Sequence, residues 1–379
     1  MQTPMNWGKW LNEDAGPVKR VDSVDLFRFI VLFFMIQGHL FRAYLLPAVR
    51  QQPWFRIHEL LHGFVAPGFL FVAGFAAFLS FHNKRQNYLR LDLAFLKRLR
   101  RILFVILVGY WIHLPFFSLR KTLAFVSRGQ AGDFLKVDIL QCIGVGLLLF
   151  TLLAALLKNE KAVALMSALA GGLFFLLPEV TKNIRLHPLV DPYFDYRVSM
   201  FPLFPWLGFL CAGIVAAFLY ARMKKEHFFR LLLSAGLLLF PWFFFISRAG
   251  ITRTELTWSG VLNKAGAIFL LLCLCDLLLR RWDGRFLDLL KRAGSESLFV
   301  YVLHLFIIFS SIFGKGLKPL FADSLTVFPA LLLFLAVQLV VFALALLYHR
   351  LKENRPRLWH WGFRAFWALF LLLFFLHRH

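Results

Sequence analysis

The chain has 379 residues, of which 60% are hydrophobic and 47 are phenylalanine, and its mean hydropathy is +0.70. A soluble domain cannot hide that much apolar surface, so the composition excludes a soluble protein and predicts one that crosses the lipid bilayer several times. The formal net charge of +23 does not indicate nucleic acid as a partner, because the positive residues lie in short loops between apolar runs and no basic face with aromatic platforms is evident.

The apolar runs predict an all-α fold, a polytopic membrane helical bundle of about 10–11 transmembrane helices. Residues 1–23 are expected to form a cytoplasmic N-terminal segment, with an interfacial helix as one option, and residues 24–379 a single membrane-embedded domain. The spans are predicted, in chain order, at residues 24–46, 58–81, 101–118, 136–157, 162–178, 201–221, 229–246, 261–279, 295–314, 325–348 and 359–376.

The loops on one side of the predicted membrane are much more basic than those on the other. Dense clusters of lysine and arginine occur at residues 84–101, 222–230, 280–292 and 350–357. The positive-inside rule places these loops and the N-terminus in the cytoplasm, so we expect a multi-pass protein of a bacterial inner membrane. The four cysteines lie in apolar runs without metal-ligand spacing, so no metal site is predicted.

The first span contains two ionisable side chains, Arg28 and His39. Eleven residues at 100° each return to within about 20° of the starting direction, so both side chains share one helical face, about 16 Å apart along the axis. Ionisable groups at membrane depth are costly and usually face the interior of the bundle or a wet cavity. The pair therefore predicts a site inside the protein, with a cation near the cytoplasmic end and an imidazole deeper in.

Other roles remain open for these residues and for two further histidines. Arg28 has Asp25 three residues earlier as an ion-pair partner, and His39 is also suited to a hydrogen bond between helices. His58 and His62, at the start of the second span, share a face through their i, i+4 spacing. That spacing suits a metal site, a second catalytic histidine or an interfacial hydrogen bond, although no further ligand set completes a metal site.

These two spans are the first of several segments that together resemble a known superfamily. The resemblance is to the transmembrane acyltransferases, which include the acyltransferase-3 proteins and the heparan-α-glucosaminide N-acetyltransferase-like proteins. The heparan-type branch usually has glycine and asparagine at the positions of Phe29 and His39. The residues of this chain at these positions are closer to the acyltransferase-3 pattern. The remaining matching segments follow in order at Asp138–Gly144, Phe201–Gly208 and Gly294–His304.

The resemblance implies an integral-membrane acyltransferase that moves an acyl group, acetyl by preference, from a cytoplasmic acyl-CoA to an extracytoplasmic carbohydrate. The chemistry of the residues agrees, because transfer from a thioester needs a general base and histidine is the usual one. We therefore predict His39 as the base and His58 and His62 as further catalytic candidates. The guanidinium of Arg28 can hold a phosphate of the donor through two hydrogen bonds.

Four more residues complete the predicted site. Arg98 and Arg101, in the basic loop before the third span, are expected to attract the phosphates of CoA. Trp258 is predicted to contact the acceptor sugar, with a place in the interfacial aromatic belt as the alternative. His304 is a second candidate for substrate binding, with a structural hydrogen bond as its alternative role.

Two other classes of function compete with the enzyme. In a transporter or flippase of an anionic or glycan substrate, the buried arginine and histidine would bind the cargo or relay protons. A membrane scaffold without catalytic activity is the third class, and it would not need two ionisable side chains on one helical face. The sequence leaves open the acceptor, the acyl group, O- or N-acylation and whether the chain forms a homo-oligomer.

Overall fold

The computed structural model describes residues 16–377 except for 91, 115, 128–133, 182–186, 188–189, 196, 243–257, 283 and 310–315. Within these residues the chain is helical and has no β-strand, which confirms the predicted all-α class. Leu45 and Leu325 form an isolated parallel bridge. Of the predicted N-terminal segment, residues 1–15 lie outside the described part.

Eighteen helices are present in the described part of the chain, and several are short connectors between longer ones. They are α1 (Asp22–Tyr44), α2 (Pro47–Arg50), α3 (Pro53–His62), α4 (Val65–Asn83), α5 (Arg85–Leu89), α6 (Leu93–Ile112), α7 (Leu119–Phe125), α8 (Ile139–Leu157), α9 (Glu160–Thr181), α10 (Asp191–Phe194), α11 (Leu203–Arg222), α12 (Lys225–Leu239), α13 (Trp258–Arg281), α14 (Arg285–Ser295), α15 (Ser297–Phe309), α16 (Lys318–Phe321), α17 (Val327–Asn354) and α18 (Pro356–Leu376).

Over the described residues, eight segments are long and apolar enough to cross a membrane: α1, α3 with α4, α8, α9, α11, α13, α17 and α18. Helices α14 and α15 pass the same test as a pair that is bent by 77°. The two remaining predicted spans, 101–118 and 229–246, only partly overlap α6 and α12, and neither helix is among the segments found able to cross a membrane in the described part of the chain. Helix α6 begins eight residues earlier than expected, at Leu93, because its basic side chains can extend toward water from an unbroken helix.

Contacts within the chain define two compact units, which are described separately. The first unit consists of residues 1–21, 66–109 and 136–277. The second unit consists of residues 22–65, 110–135 and 278–379.

In the first unit, α4 and α11 approach each other at two glycines. A side-chain carbon on Gly74 would overlap the carbonyl oxygen of Leu210, and one on Gly213 would overlap the carbonyl oxygen of Phe71. Apolar helices gain little from burial in a lipid environment, so such close backbone contact is a main source of helix association. The two glycines therefore fix the distance between α4 and α11.

The first unit also contains a helix cap within one of the segments that carry the family resemblance. The side chain of Asp138 accepts a hydrogen bond from the amide of Ile139 at 2.7 Å, and the amide of Asp138 donates to Oε1 of Gln141 at 3.1 Å. This capping box satisfies amide groups at the start of α8. Helix initiation thus gives Asp138 and Gln141 of this segment a structural role.

In the second unit, α1 is the central helix and packs against α3, α14, α15, α16 and α17. Gly294 of α14 lies directly against the backbone of Asp25, and Phe29 contacts Phe342 of α17 with ring centroids 4.6 Å apart. Tyr44, at the end of α1, donates a hydrogen bond to the carbonyl of Ile308 at 2.8 Å. Contacts along its whole length therefore hold α1 in one position within this unit.

We predict that Gly213→Ala destabilises the protein by about 1–3 kcal/mol, the usual cost of adding a methyl group to a tightly packed contact. Gly172→Ala is the matched control, because no atom lies within 4 Å of the position of its added carbon. Unfolding of both variants in detergent would measure the difference. Equal stability of the two variants would contradict the close packing of α4 and α11.

Candidate functional site

Most of the residues that the sequence predicts for the site lie in the second unit. Helix α1 carries Arg28 and His39, α3 carries His58 and His62, and α15 carries His304. The structure arranges the four histidines as two pairs. One pair joins His39 of α1 to His304 of α15, and the other, on α3, contacts a different face of α1.

The first pair is His39 and His304, whose ring centroids lie 5.2 Å apart at 66°. His304 is fully buried, and its Nδ1 lies 3.0 Å from the carbonyl oxygen of Val300. Because a carbonyl can only accept, Nδ1 carries the proton of the neutral ring and Nε2 carries the lone pair. That Nε2 is buried without a hydrogen-bond partner among the described residues. Pairing with His39 brings together two imidazoles that lie 265 residues apart in the sequence.

The second pair consists of His58 and His62, and it lies beside a salt bridge that joins α1 to α3. Arg42 donates from Nε to both carboxylate oxygens of Glu59, at 2.8 and 2.9 Å. A terminal nitrogen of Arg42 also lies 3.1 Å from Nδ1 of His62. Since arginine has no acceptor, Nδ1 of His62 accepts this bond, and Nε2 donates to the carbonyl of Phe34. Both ring nitrogens of His62 are therefore occupied, which suits a positioning residue better than a base.

Gly38 of α1 leaves space for the imidazole ring of His62. A side-chain carbon at that position would overlap the imidazole ring of His62, which is buried against α1. Only a residue without a side chain leaves space for the ring there.

His58 has a different hydrogen-bonding pattern from His62. Its Nε2 lies 2.8 Å from Oε1 of Gln37, an acceptor, so Nε2 carries the proton and Nδ1 the lone pair. Nδ1 is buried without a hydrogen bond and lies 3.6 Å from a carboxylate oxygen of Glu59. The ring stacks on Phe55 at 5.3 Å. His58 thus has a base nitrogen in a fixed orientation.

The ion pair that the sequence suggested for Arg28 is formed. Its guanidinium lies 2.9 Å from a carboxylate oxygen of Asp25, which is buried, whereas the Arg28 side chain keeps 23% of its surface exposed. The pair fixes the orientation of the guanidinium.

The remaining predicted residues lie in the first unit. The guanidinium carbon of Arg98 is 3.1 Å above the ring of Tyr88, and Arg101 is exposed on the same helix. Trp258 begins α13, and its side chain lies outside the described part of the structure. In the portions of the chain that are described, no group of three histidine, cysteine or acidic residues could hold a metal ion.

The sequence analysis did not identify Arg42, Gln37 or Glu59 as members of the site. One signal was present, because Arg42 is a second cation in the first span and Glu59 lies between the two histidines of α3. Their partnership depends on how α1 and α3 pack, which no local spacing reveals.

Comparison with known proteins gives one family match. The family described as heparan-alpha-glucosaminide N-acetyltransferase, catalytic, matches residues 20–264. The match includes α1 and α3 with their histidines, and it ends before the Gly294–His304 segment and before His304. No curated protein matches the chain significantly.

We predict that Gly38→Ala displaces the His62 ring and destabilises the protein by about 1–3 kcal/mol. In a double-mutant cycle, His62→Ala should remove most of this cost because the clashing ring is then absent. Gly362→Ala is the control, since nothing lies within 4 Å of its added carbon. Additive effects of the Gly38 and His62 substitutions on unfolding would contradict the contact.

Proposed function

Because the chain belongs to the heparan-alpha-glucosaminide N-acetyltransferase catalytic family, we propose that it transfers an acetyl group from cytoplasmic acetyl-CoA to a carbohydrate on the opposite side of the membrane. The family is one of membrane N-acetyltransferases, which supports the acetyl group and the transferase reaction. The observation that carries the proposal is the contact of His39 with His304 on the face of α1 that also carries Arg28.

We assign His39 as the general base. The acceptor amine or hydroxyl attacks the carbonyl carbon of the thioester, His39 takes the acceptor's proton, and the carbon–sulfur bond breaks to release CoA as a thiolate. The imidazolium can then return the proton to the leaving sulfur, so the reaction leaves the enzyme unchanged. His304 supports this role as a positioning residue, because its buried ring packs edge-on against that of His39.

We assign Arg28 to the donor. Its side chain is partly exposed and is oriented by Asp25, and Arg28 lies about 16 Å along the helix axis from His39, at 1.5 Å per residue. A long, thin donor would reach from a phosphate at Arg28 to a thioester at His39. Arg98 and Arg101 are proposed to attract the anionic donor, and Trp258 to contact the sugar.

His58 is the second candidate for the base, since its Nδ1 is buried without a hydrogen bond and lies near Glu59. The two assignments make different predictions for single substitutions. His62, with both nitrogens occupied, is proposed to hold α3 against α1 and not to take the proton.

We predict that His39→Ala lowers the rate of acetyl transfer by about 10²–10⁴, the usual contribution of a general base. His58→Ala should lower it less than tenfold, and His360→Ala, on the exposed surface of α18, should have no effect. The assay is transfer from radiolabelled acetyl-CoA to an amino sugar by purified protein in lipid. A collapse in His58→Ala with a near-normal His39→Ala enzyme would move the base to α3.

A second prediction concerns the donor. Arg28→Lys keeps the charge but loses the two-pronged hydrogen bond, so CoA should bind about tenfold or more weakly while stability changes little. Calorimetric titration with CoA would measure this. Asp25→Asn is the companion variant: if Arg28 is purely structural, both variants lower stability and neither changes CoA affinity.

A further inference from the structure

Helix α14 has one apolar and one basic half, and the protein covers only part of the apolar half. Gly294 lies against the backbone of α1 and Ala293 is buried. Phe286 belongs to the same face at 100° per residue, yet 70% of its surface is exposed. The apolar side of this helix therefore extends beyond its contact with the rest of the second unit.

The orientation of α14 fits a helix that lies in the membrane interface. It meets α15, the more apolar member of the pair, at a bend of 77°. Where α15 is aligned with the membrane normal, a helix at that angle lies close to the membrane plane. Amphipathic helices with a basic polar face bind there, with their apolar side toward the acyl chains.

An apolar groove of about 430 Å³ lies between α14 and α1. Its volume falls in the range of about 300–1,000 Å³ that is usual for small-molecule sites. No lining residue carries a polar side chain, except for the indole nitrogen of Trp282. The lining residues are Leu26, Phe29, Ile30, Leu278, Trp282, Gly284, Phe286, Leu287 and Leu290.

Two exposed arginines are within one helical turn, in sequence, of residues that line this groove. Arg281 follows Leu278 by three residues on α13, so it lies on the same side of that helix, and Arg285 directly precedes Phe286. The acidic side chain of Asp288 does not neutralise them, because it pairs with Lys291 at 2.8 Å. The groove is thus apolar inside and positively charged at its edge.

The groove is separate from the proposed path of the acetyl donor. At 100° per residue, the groove-lining residues of α1 point about 140° away from the direction of Arg28 and His39. Its apolar wall also offers no partner for the adenine, ribose or amide groups of CoA. A ligand with a hydrocarbon chain and an anionic end fits these features better.

We propose that the groove binds one acyl chain of an anionic glycerophospholipid, whose phosphate is held by Arg281 and Arg285. A zwitterionic lipid supplies the same chain, but its cationic group opposes the two arginines. Lipid bound in this way covers the exposed part of the apolar face and holds α14 at the membrane surface.

The test is native mass spectrometry of the full chain in mild detergent with equal amounts of phosphatidylglycerol and phosphatidylcholine of the same chain length. One phosphatidylglycerol should be retained in preference to phosphatidylcholine. Replacing Arg281 and Arg285 together by Gln should weaken this binding about 10- to 30-fold. The matched control replaces Arg355 and Arg357, two exposed arginines elsewhere in the same unit, and should retain the lipid.

A second pair of variants tests the acyl chain. Leu287→Trp fills the groove and should abolish retention, whereas Leu289→Trp, on the same helix but outside the groove lining, should not. Equal binding of the two lipids, or equal loss in the two tryptophan variants, overturns the proposal. Displacement of phosphatidylglycerol by CoA also overturns it and assigns the arginines to the donor.

Discussion

The guanidinium of Arg42 lies near the end of a membrane span, where its N–H groups need acceptors because lipid offers none. Glu59 accepts from Nε at 2.8 Å and His62 accepts from a terminal nitrogen at 3.1 Å, so one cation joins α1 to α3. His62 in turn donates to the carbonyl of Phe34 and lies against Gly38. Removing one member leaves an uncompensated polar group, which costs more than the pair contributes. This cluster fixes the orientation of α1 relative to α3.

At 100° per residue, α1 has three faces that point in different directions. One face, with Gly38 and Arg42, contacts α3. A second carries Arg28 and His39 and reaches His304, and the third forms part of the apolar groove beside α14. A single helix thus separates the structural contacts, the proposed chemistry and the proposed lipid site. In the proposed mechanism, the orientation of His39 depends on the contacts that the other faces of α1 make with α3 and α14.

The sequence predicts most of the spans because long apolar runs have few alternatives to membrane helices, although about 10–11 spans are predicted and eight, or nine with the bent pair, are found in the described residues. It also places Arg28 and His39 on one face, since helical periodicity is local. The partnership of His39 with His304 is different, because it depends on the packing of α1 against α15. The 77° bend between α14 and α15 is not predicted from the sequence. The lysines and arginines of residues 280–292 predict a basic loop, although the apolar positions within residues 285–295 recur at helical spacing.

The most direct test of the proposed reaction is the sidedness of transfer in vesicles of known orientation. Acetyl-CoA is supplied only from the side of the basic segment 84–101, and an amino sugar is enclosed on the other side. The account predicts acetylated sugar on that far side, and none when donor and acceptor are exchanged. Transfer only with both substrates on one side would contradict movement of the acetyl group across the membrane.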